Sequence, residues 1–369
     1  MNAPFPLSDD LRTSSAPIRV MQAQLHDAAT RSAIAAFVEG MAGEGATPFH
    51  RPEWLMAVEA GTGQRATGLI ARAGSVPDAQ VIGWLPLTLA HSPLFGRALV
   101  SSGFAVGGGI LASDPAAIRP LCAAAGELAQ RNACASVELR GPDAPADWAR
   151  IEGKHDNFAA DLAEDDEAQL LAIPRKQRAE VRKGLRAKLE VTTGSAEVDR
   201  AAHHAVYSRS VHNLGTPVFP RSLFDAMLDA FGKDADILTV RRNGHALASV
   251  LSFYHDGTVM PFWGGGVWEA RDARANEVMY YALMCHARRR GCTRFDFGRS
   301  KVRSGPWHYK KNWGFEPEPL VYREWRADGR AGRNVDPTAD GYSRAVEAWK
   351  RLPASIADRV GPWIARGLA

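Results

Sequence analysis

Gly107-Gly108-Gly109 and, 157 residues later, Gly264-Gly265-Gly266 punctuate the chain at matching points. Two short runs, SVELRG (Ser136–Gly141) and RFDFGR (Arg294–Arg299), place Gly141 and Gly298 at the same offset of 157 without a gap. Each triplet reads as the end of a strand-like run and precedes a helical pattern of roughly 16–18 residues. Each helix ends near a cysteine, Cys134 or Cys292, and enters one of the two short strands. One shared glycine means little, but four inside the same strand–helix–strand order predict a tandem duplication of one α/β unit. The competing reading is two unrelated α/β segments that share turn chemistry. The expected fold class is therefore α/β (α+β): two tandem units, each a mixed twisted sheet flanked by helices, with a C-terminal helical tail. The boundaries expected are 1–17 for a flexible lead-in, 18–165 and 166–327 for the two units, and 328–369 for the tail.

Composition agrees with a globular chain. Of 369 residues, 46% are hydrophobic and 23% charged, which excludes a disordered protein and leaves material for two cores. Forty-five basic against 41 acidic residues give a net charge of +4, too little for a chain whose main task is DNA binding. The cysteines Cys122, Cys134, Cys285 and Cys292 show no CxxC spacing and sit in apolar contexts. They read as buried thiols in a reducing compartment, not as a disulfide framework or a metal site. No run approaches 18 apolar residues, and the N-terminus has acids where a signal peptide needs a basic region. A cytoplasmic location is expected, with a peripheral place at the inner membrane compatible with it.

Helices are expected at Ala28–Met41, Pro115–Asn132, Val198–His212, Pro220–Phe231 and Ala273–Arg290, with strands at Thr67–Ala73, Val81–Leu89, Ile237–Val240, Leu247–Tyr254 and Thr258–Trp263. In the tail, Asp328–Pro337 is polar and turn-rich. Trp349, Leu352, Ile356, Val360, Trp363 and Ile364 then supply an apolar stripe across two amphipathic helices. Such a stripe is expected to pack onto the body. A membrane-surface or partner-binding pair is the lesser reading, because Lys350, Arg351, Arg359 and Arg366 flank it.

Chemistry concentrates in RFDFGRSKVRSGPWHYKKNWGFEP, Arg294–Pro317. A strand ends at Phe297-Gly298, a cationic loop follows (Arg299, Ser300, Lys301, Arg303), and Trp307–Trp313 predicts a helical turn closed by Gly314. Trp307, Tyr309, Trp313 and Phe315 interleave with Lys310 and Lys311. Ring walls that exclude water beside a fixed cation suit a carbonyl or anionic ligand, since the cation then stabilises developing negative charge. A solvated basic loop with anchored aromatics is the plainer alternative.

The run ANEVMYYALMCHARRRGCTRFDFGRS…GPWHYKKNWGFEP resembles the C-terminal signature of Fem-type transferases. The matching positions are Asn276 at the helix start, Gly291, Asp296-Phe297-Gly298, and the aromatic-Lys-x-x-aromatic-Gly element Tyr309-Lys310-Lys311-Asn312-Trp313-Gly314. RKQRAEVRKGLRAKLEV, Arg175–Val191, is similar to the basic helix joining that family's halves. Within it the chain looks most like the FemAB-like proteins of bacterial exosortase (PEP-CTERM) and exopolysaccharide systems, through TPFHRPEW, SPLFGRALVSS, SVHNLGTPVFP and GFEPEP. The resemblance implies two tandem GNAT-like acyltransferase folds and acyl transfer to an amine on a cell-envelope or exopolysaccharide precursor. By position it makes Lys310, not Lys311, the group that stabilises the reacting carbonyl. Asp296 is the first candidate for the base that takes the amine proton, with His308 and His212 behind it; capping of the next loop is the alternative role for Asp296. Arg299, Ser300, Tyr309, Trp313 and Asn276 are expected at the substrate, and so are Tyr207 and Asn213 beside the Gly215-Thr216-Pro217 turn.

The donor implied is aminoacyl-tRNA or an acyl thioester. GNAT enzymes hold acyl-CoA pyrophosphate on a Gly-rich turn, and the corresponding stretches here, ARDARANEVM (Ala270–Met279) and LASDPAAIRP (Leu111–Pro120), contain no glycine. Acetyl-CoA is disfavoured on that ground, and no permanently bound cofactor or metal is expected. Between Arg175 and Lys188 stand seven basic residues and one acid, with Arg175, Arg178, Arg182 and Arg186 on one helical face. That face suits tRNA phosphates, an anionic lipid-linked saccharide or acidic headgroups; equally, it could pair with the acidic run Glu164–Glu167. Two other functions remain open: a non-catalytic binding protein of a polysaccharide or exosortase assembly, and an RNA-binding module using this helix.

Overall fold

The computed structural model describes residues 17–74, 76, 79–329 and 343–369. The lead-in expected at residues 1–17 and the turn-rich stretch 328–337 lie almost wholly outside these. In chain order the first part supplies β1 (Ile18–Gln22), α1 (Ala28–Gly40), α2 (Pro52–Thr62), β2 (Arg65–Ala73), β3 (Val81–Ser92), β4 (Gly96–Ser101), β5 (Leu111–Ala112), α3 (Ile118–Arg131), β6 (Ser136–Leu139), β7 (Ala149–Ile151) and β8 (His155–Asp161). Helices α4 (Asp166–Ala172) and α5 (Arg175–Leu185) lead to β9 (Glu190–Gly194), α6 (Glu197–Asn213), α7 (Arg221–Phe231), β10 (Ala235–Arg242), β11 (His245–His255) and β12 (Thr258–Gly266). Then come α8 (Ala270–Ala273), α9 (Ala275–Arg289), β13 (Arg294–Asp296), β14 (Ser300–Lys301), α10 (Gly305–Asn312), β15 (Pro317–Pro319) and β16 (Tyr322–Arg326). The tail forms α11 (Ser343–Arg351) and α12 (Ala354–Ala365).

Two mixed sheets carry these elements. The first runs β1-β2-β3-β4-β6-β16-β7 and the second, read in the same sense, β9-β10-β11-β12-β13-β8-β14. The two orders map strand for strand. In each, antiparallel strands give way to one short parallel pair, β4 with β6 and β12 with β13. A helix, α3 or α9, makes each crossover, as a parallel connection requires. The central strands β3 and β11 are buried along nearly their whole length, which explains their near-continuous apolar sequences.

The duplication differs from the sequence reading in two ways. The division expected at residue 165 separates the helices but not the sheets. β8 precedes it yet lies in the second sheet between β13 and β14, while β16 lies in the first between β6 and β7. Each unit borrows its sixth strand from the other, and alternation along a strand carries no information about which sheet receives it. The first glycine triplet also does not end a strand. It sits in the loop after β4, where Gly109 lies against the backbone of Gly141; a Cβ there would come within 3.2 Å of Gly141 Cα. Gly264–Gly266, by contrast, are the last residues of β12.

The equivalent helices α2 and α7 pack face to face between the units. Their approach needs Gly61, since a Cβ at that position would fall 2.4 Å from Leu223 Cα. Aromatic residues from both units fill the joint core, with Trp54 against Phe253 at 5.2 Å and Phe224 against Trp263 at 5.1 Å between ring centroids. All four cysteines are buried, and none is in a disulfide. Among the described residues no helix is long and apolar enough to cross a membrane.

The tail crosses both units: Gln64 donates to the Arg366 carbonyl at 2.9 Å, and Ser208 donates to Asp358. The expected packing of its apolar stripe is only partly realised. Ala357, Gly361 and Ala365 face the body, while Ile356, Val360 and Trp363 face outward. Small residues let α12 approach closely, and its large side chains then have no room on that side. The acidic run likewise takes partners other than α5. Asp165 caps α4 through Ala168 N–H, and Asp166 pairs with Arg288 and Arg289.

Candidate active site

β12 and β13 pair in parallel through only two register positions, Thr258↔Arg294 and Val259↔Phe295, and then part. β12 runs on to Gly266, whereas β13 ends at Asp296. Strands that diverge leave backbone groups unpaired at a carboxyl end, the usual seat of ligands in open α/β sheets. Side chains from α9 and α10 line this opening.

Lys310 is the most telling of them. Ser304 caps α10 by accepting from Trp307 N–H, and the Trp307 indole N–H donates to Asp156 of β8 at 2.6 Å. These contacts turn Lys310 inward and Lys311 outward. The Lys310 side chain is buried, with the residue 8% exposed. Its Nζ donates to the carbonyls of Gly298 (2.8 Å) and Arg299 (3.1 Å), and it stands 5.4 Å from the Phe297 ring and 5.5 Å from that of Phe158. Burial pulls its pKa down to about 7, against the upward effect of Asp296. Lys311 instead reaches Glu316 at 3.8 Å on the surface.

Asp296 sits at the end of β13. Its Oδ1 accepts from Gly298 N–H at 2.9 Å and from Asn157 Nδ2 at 3.1 Å, so it caps the loop that follows. Burial raises its pKa in spite of those two bonds. Arg299 donates to the Tyr322 hydroxyl at 2.9 Å, which donates in turn to the Val106 carbonyl at 2.7 Å. The Lys310 loop of the second unit is thereby tied to the glycine loop of the first.

Two polar groups here are buried without partners, Asn276 Oδ1 and Ser300 Oγ, while Tyr309 Oη and Trp313 Nε1 have only each other. Unsatisfied buried groups in one locality mark a place for a ligand or ordered water. Asn276 and Tyr280 share a face of α9 one turn apart. Asn276 lies against Gly266, Tyr280 Oη comes near Gly264, and the Tyr280 ring stands 6.0 Å from Tyr309 and 6.2 Å from Trp313. A polar and aromatic path thus runs from the end of β12 to Lys310.

The other expected residues lie elsewhere. Tyr207 belongs to the joint core, against His203 and Phe224, and burial raises its pKa. Asn213 is exposed at the end of α6, and the neighbouring Gly215 turn is covered by Val346 and Lys350 of α11. Arg178 donates to the Leu171 carbonyl at 2.9 Å, and Arg182 is exposed on α5. His308 and His212 do not join Lys310: His308 is exposed on α10, and His212 sits in the last turn of α6. Sequence reasoning missed Asp156, Asn157, Tyr322 and Glu277. The first three stand on strands exchanged between the units. Glu277 is half-buried beside Asn276, burial raises its pKa, and its charge acts on Tyr280 and Tyr309. Its signal was a carboxylate in the first turn of a helix otherwise lined with apolar and aromatic residues.

The first unit's counterpart opening is closed. Arg140, at the position matching Phe297, is buried and donates to the carbonyls of Ser102 (3.2 Å) and Ala105 (2.6 Å) and to Glu138 (3.1 Å). An open groove of about 520 Å³ does exist between α6 and the β10–β11 turn, lined by Arg209, Arg242, His245 and Glu269, but Lys310 is not among its walls.

Residues 174–311 match the family model of the acetyltransferase (GNAT) domain. The match runs from α5 to the end of α10 and contains Asn276, Asp296 and Lys310. Three solved structures are similar to most of the chain. FemX has a TM-score of 0.59 at 16% identity, over 79% of this chain and 95% of that one. A tandem GNAT protein from the clavulanic acid biosynthesis pathway has 0.55 at 13%, over 84% and 98%. L-PGS from Bacillus licheniformis has 0.51 at 12%, over 80% and 92%. At these identities the likeness is one of fold, and the fold is the tandem GNAT arrangement. No curated protein matches the sequence. In the matched segment, four N–H groups of the turn after β12 are engaged within the chain. Val267 donates to Leu247, Ala270 to Val267, Arg271 to Trp268, and Arg274 to Arg271.

Proposed function

We propose that the chain is an acyltransferase that moves an acyl or aminoacyl group onto an amine, with the reaction centred on Lys310. The observation that carries this reading is the buried Lys310 ammonium beside unpartnered polar groups where β12 and β13 part. When an amine attacks an ester or thioester carbonyl, the C–N bond forms and the carbonyl oxygen gains negative charge. Two Lys310 N–H bonds are committed to the carbonyls of Gly298 and Arg299, leaving the third for that oxygen. As the carbonyl re-forms, the C–O or C–S bond breaks, and the amine proton passes to a carboxylate and from there to the departing alcohol or thiol. Burial raises the pKa of both Asp296 and Glu277, which makes each a stronger base than an exposed carboxylate. Arg299, Ser300, Tyr309, Trp313 and Asn276 bind and orient the substrates in this scheme.

The donor favoured is an aminoacyl ester or a thioester not held by a pyrophosphate cradle, because the stretch after β12 lacks glycine and the N–H groups of Val267, Ala270, Arg271 and Arg274 are bonded within the chain. The acceptor favoured is an amine of a cell-envelope or exopolysaccharide precursor, on the strength of the resemblance to FemAB-like exosortase-associated proteins. A binding role without chemistry is the second reading. It is favoured by the packing of Tyr280, Phe297, Tyr309 and Trp313, which leaves little open space at Lys310. Lys310→Ala separates the two. Mass spectrometry of small molecules and lipids from cells carrying each form should show an acylated product with the wild type and its unmodified precursor with the variant. Product at near wild-type yield from the variant would remove Lys310 from the mechanism.

A further inference from the structure

Helix α12 is amphipathic in the reverse of the expected sense. Its body-facing side carries Ala357, Gly361 and Ala365, with Gly361 so close to Val218 that a Cβ would meet its N at 3.1 Å. Its solvent side carries Ile356, Val360 and Trp363, exposed at 47%, 39% and 51%. At about 100° per residue, Ile356, Val360 and Trp363 fall within roughly 60° of arc, and Arg359 borders that stripe on the Trp363 side. Arg351, Arg359 and Arg366 are exposed; the Arg351 charge acts on Glu347 one turn away, which pairs more closely with Lys350. The nearby acids are otherwise engaged: Glu347 pairs with Lys350 at 3.0 Å and Asp358 accepts from Ser208. Gly367 sits against Ser92 and Phe95, which brings the exposed Leu94 of the β3–β4 turn beside the end of α12.

We infer that α12 is a docking face for an anionic membrane surface, on which it lies parallel to the bilayer plane. Charge complementarity selects this occupant. Exposed arginines bordering a stripe of Ile, Val and Trp match acidic headgroups above an acyl boundary, and Trp prefers that depth. The helix is already folded and strapped to both units, so docking needs no ordering of the chain.

The test uses the full chain and flotation with vesicles of mixed phosphatidylglycerol and phosphatidylcholine, against vesicles of phosphatidylcholine alone. The chain should float with the anionic vesicles and be released as salt is raised. The triple variant Ile356→Ser, Val360→Ser, Trp363→Ser removes only outward side chains, so its melting curve should be unchanged while binding drops by about tenfold or more. A second variant, Arg351→Glu with Arg359→Glu, leaves the stripe intact and should lose the preference for anionic vesicles. Brominated lipid should quench wild-type fluorescence more than that of Trp363→Phe. Three results would each overturn the inference: no flotation at low salt, equal flotation of the triple variant, or a wild-type dimer in light scattering that the triple variant turns into a monomer.

Discussion

Lys310→Met should make the protein more stable and do so only at low pH. An ordinary lysine titrates at 10.5, and burial lowers Lys310 to about 7. At about 1.4 kcal/mol per unit, holding the ammonium in this site costs about 5 kcal/mol at pH 6. Methionine keeps much of the volume and removes the charge. It also leaves the carbonyls of Gly298 and Arg299 short of a donor, which costs roughly 1–3 kcal/mol. The net gain expected at pH 6 is about 2–4 kcal/mol. Because the folded pKa lies below the unfolded one, the penalty is fully present below about pH 7 and fades as pH rises toward 10.5. By pH 9.5 it falls to about 1 kcal/mol, and the variant should then be no more stable than the wild type. Guanidinium unfolding followed by circular dichroism at the two pH values reads this difference. An equal effect at both, or a loss of stability at pH 6, would refute the claim that Lys310 is held charged against its surroundings. The expected result places the residue among those that trade stability for activity.

Transfer that relies on the Lys310 ammonium should decline as pH rises through about 7, and a pH–rate profile reads this limb; a rise through the same range with no later fall would assign the neutral amine the role of base. Gly61→Ala should force α2 and α7 apart, since its Cβ meets Leu223 backbone at 2.4 Å, and lower stability by about 1–3 kcal/mol in denaturant titration. Tyr322→Phe removes the hydroxyl that joins Arg299 to the Val106 carbonyl. It should cost about 1–3 kcal/mol and raise KM more than it lowers kcat, because the Lys310 loop loses its tie to the first unit.

The duplication was legible because glycines at strand ends and crossover turns are imposed by backbone geometry, and those constraints survive divergence of side chains. Lys310 could be told from Lys311 only by its place relative to Tyr309 and Trp313, and the structure turns the first inward and the second outward. Asp156, Asn157 and Tyr322 were invisible for a different reason. Each lies on a short strand whose sheet is set by long-range pairing, which no local pattern encodes. Tyr207 illustrates the opposite error, for an aromatic with a hydroxyl looks like a binding residue until its neighbours are seen. The outward stripe of α12 misled in the same way: an apolar period of 3.6 shows that a face exists, not which way it points.

The exchange of β8 and β16 between the sheets bears on how the chain is made. Leu139 waits for Arg323, 184 residues downstream, before β6 gains its neighbour, so the first sheet stays open until nearly the whole protein has left the ribosome. Until then β6 and β7 present bare edges that invite wrong partners. The two units therefore cannot mature one after the other as separate domains would. A truncation before residue 317 would leave the first sheet unfinished as well as the second, and the tie between the Lys310 loop and the first unit forms only once Tyr322 is in place.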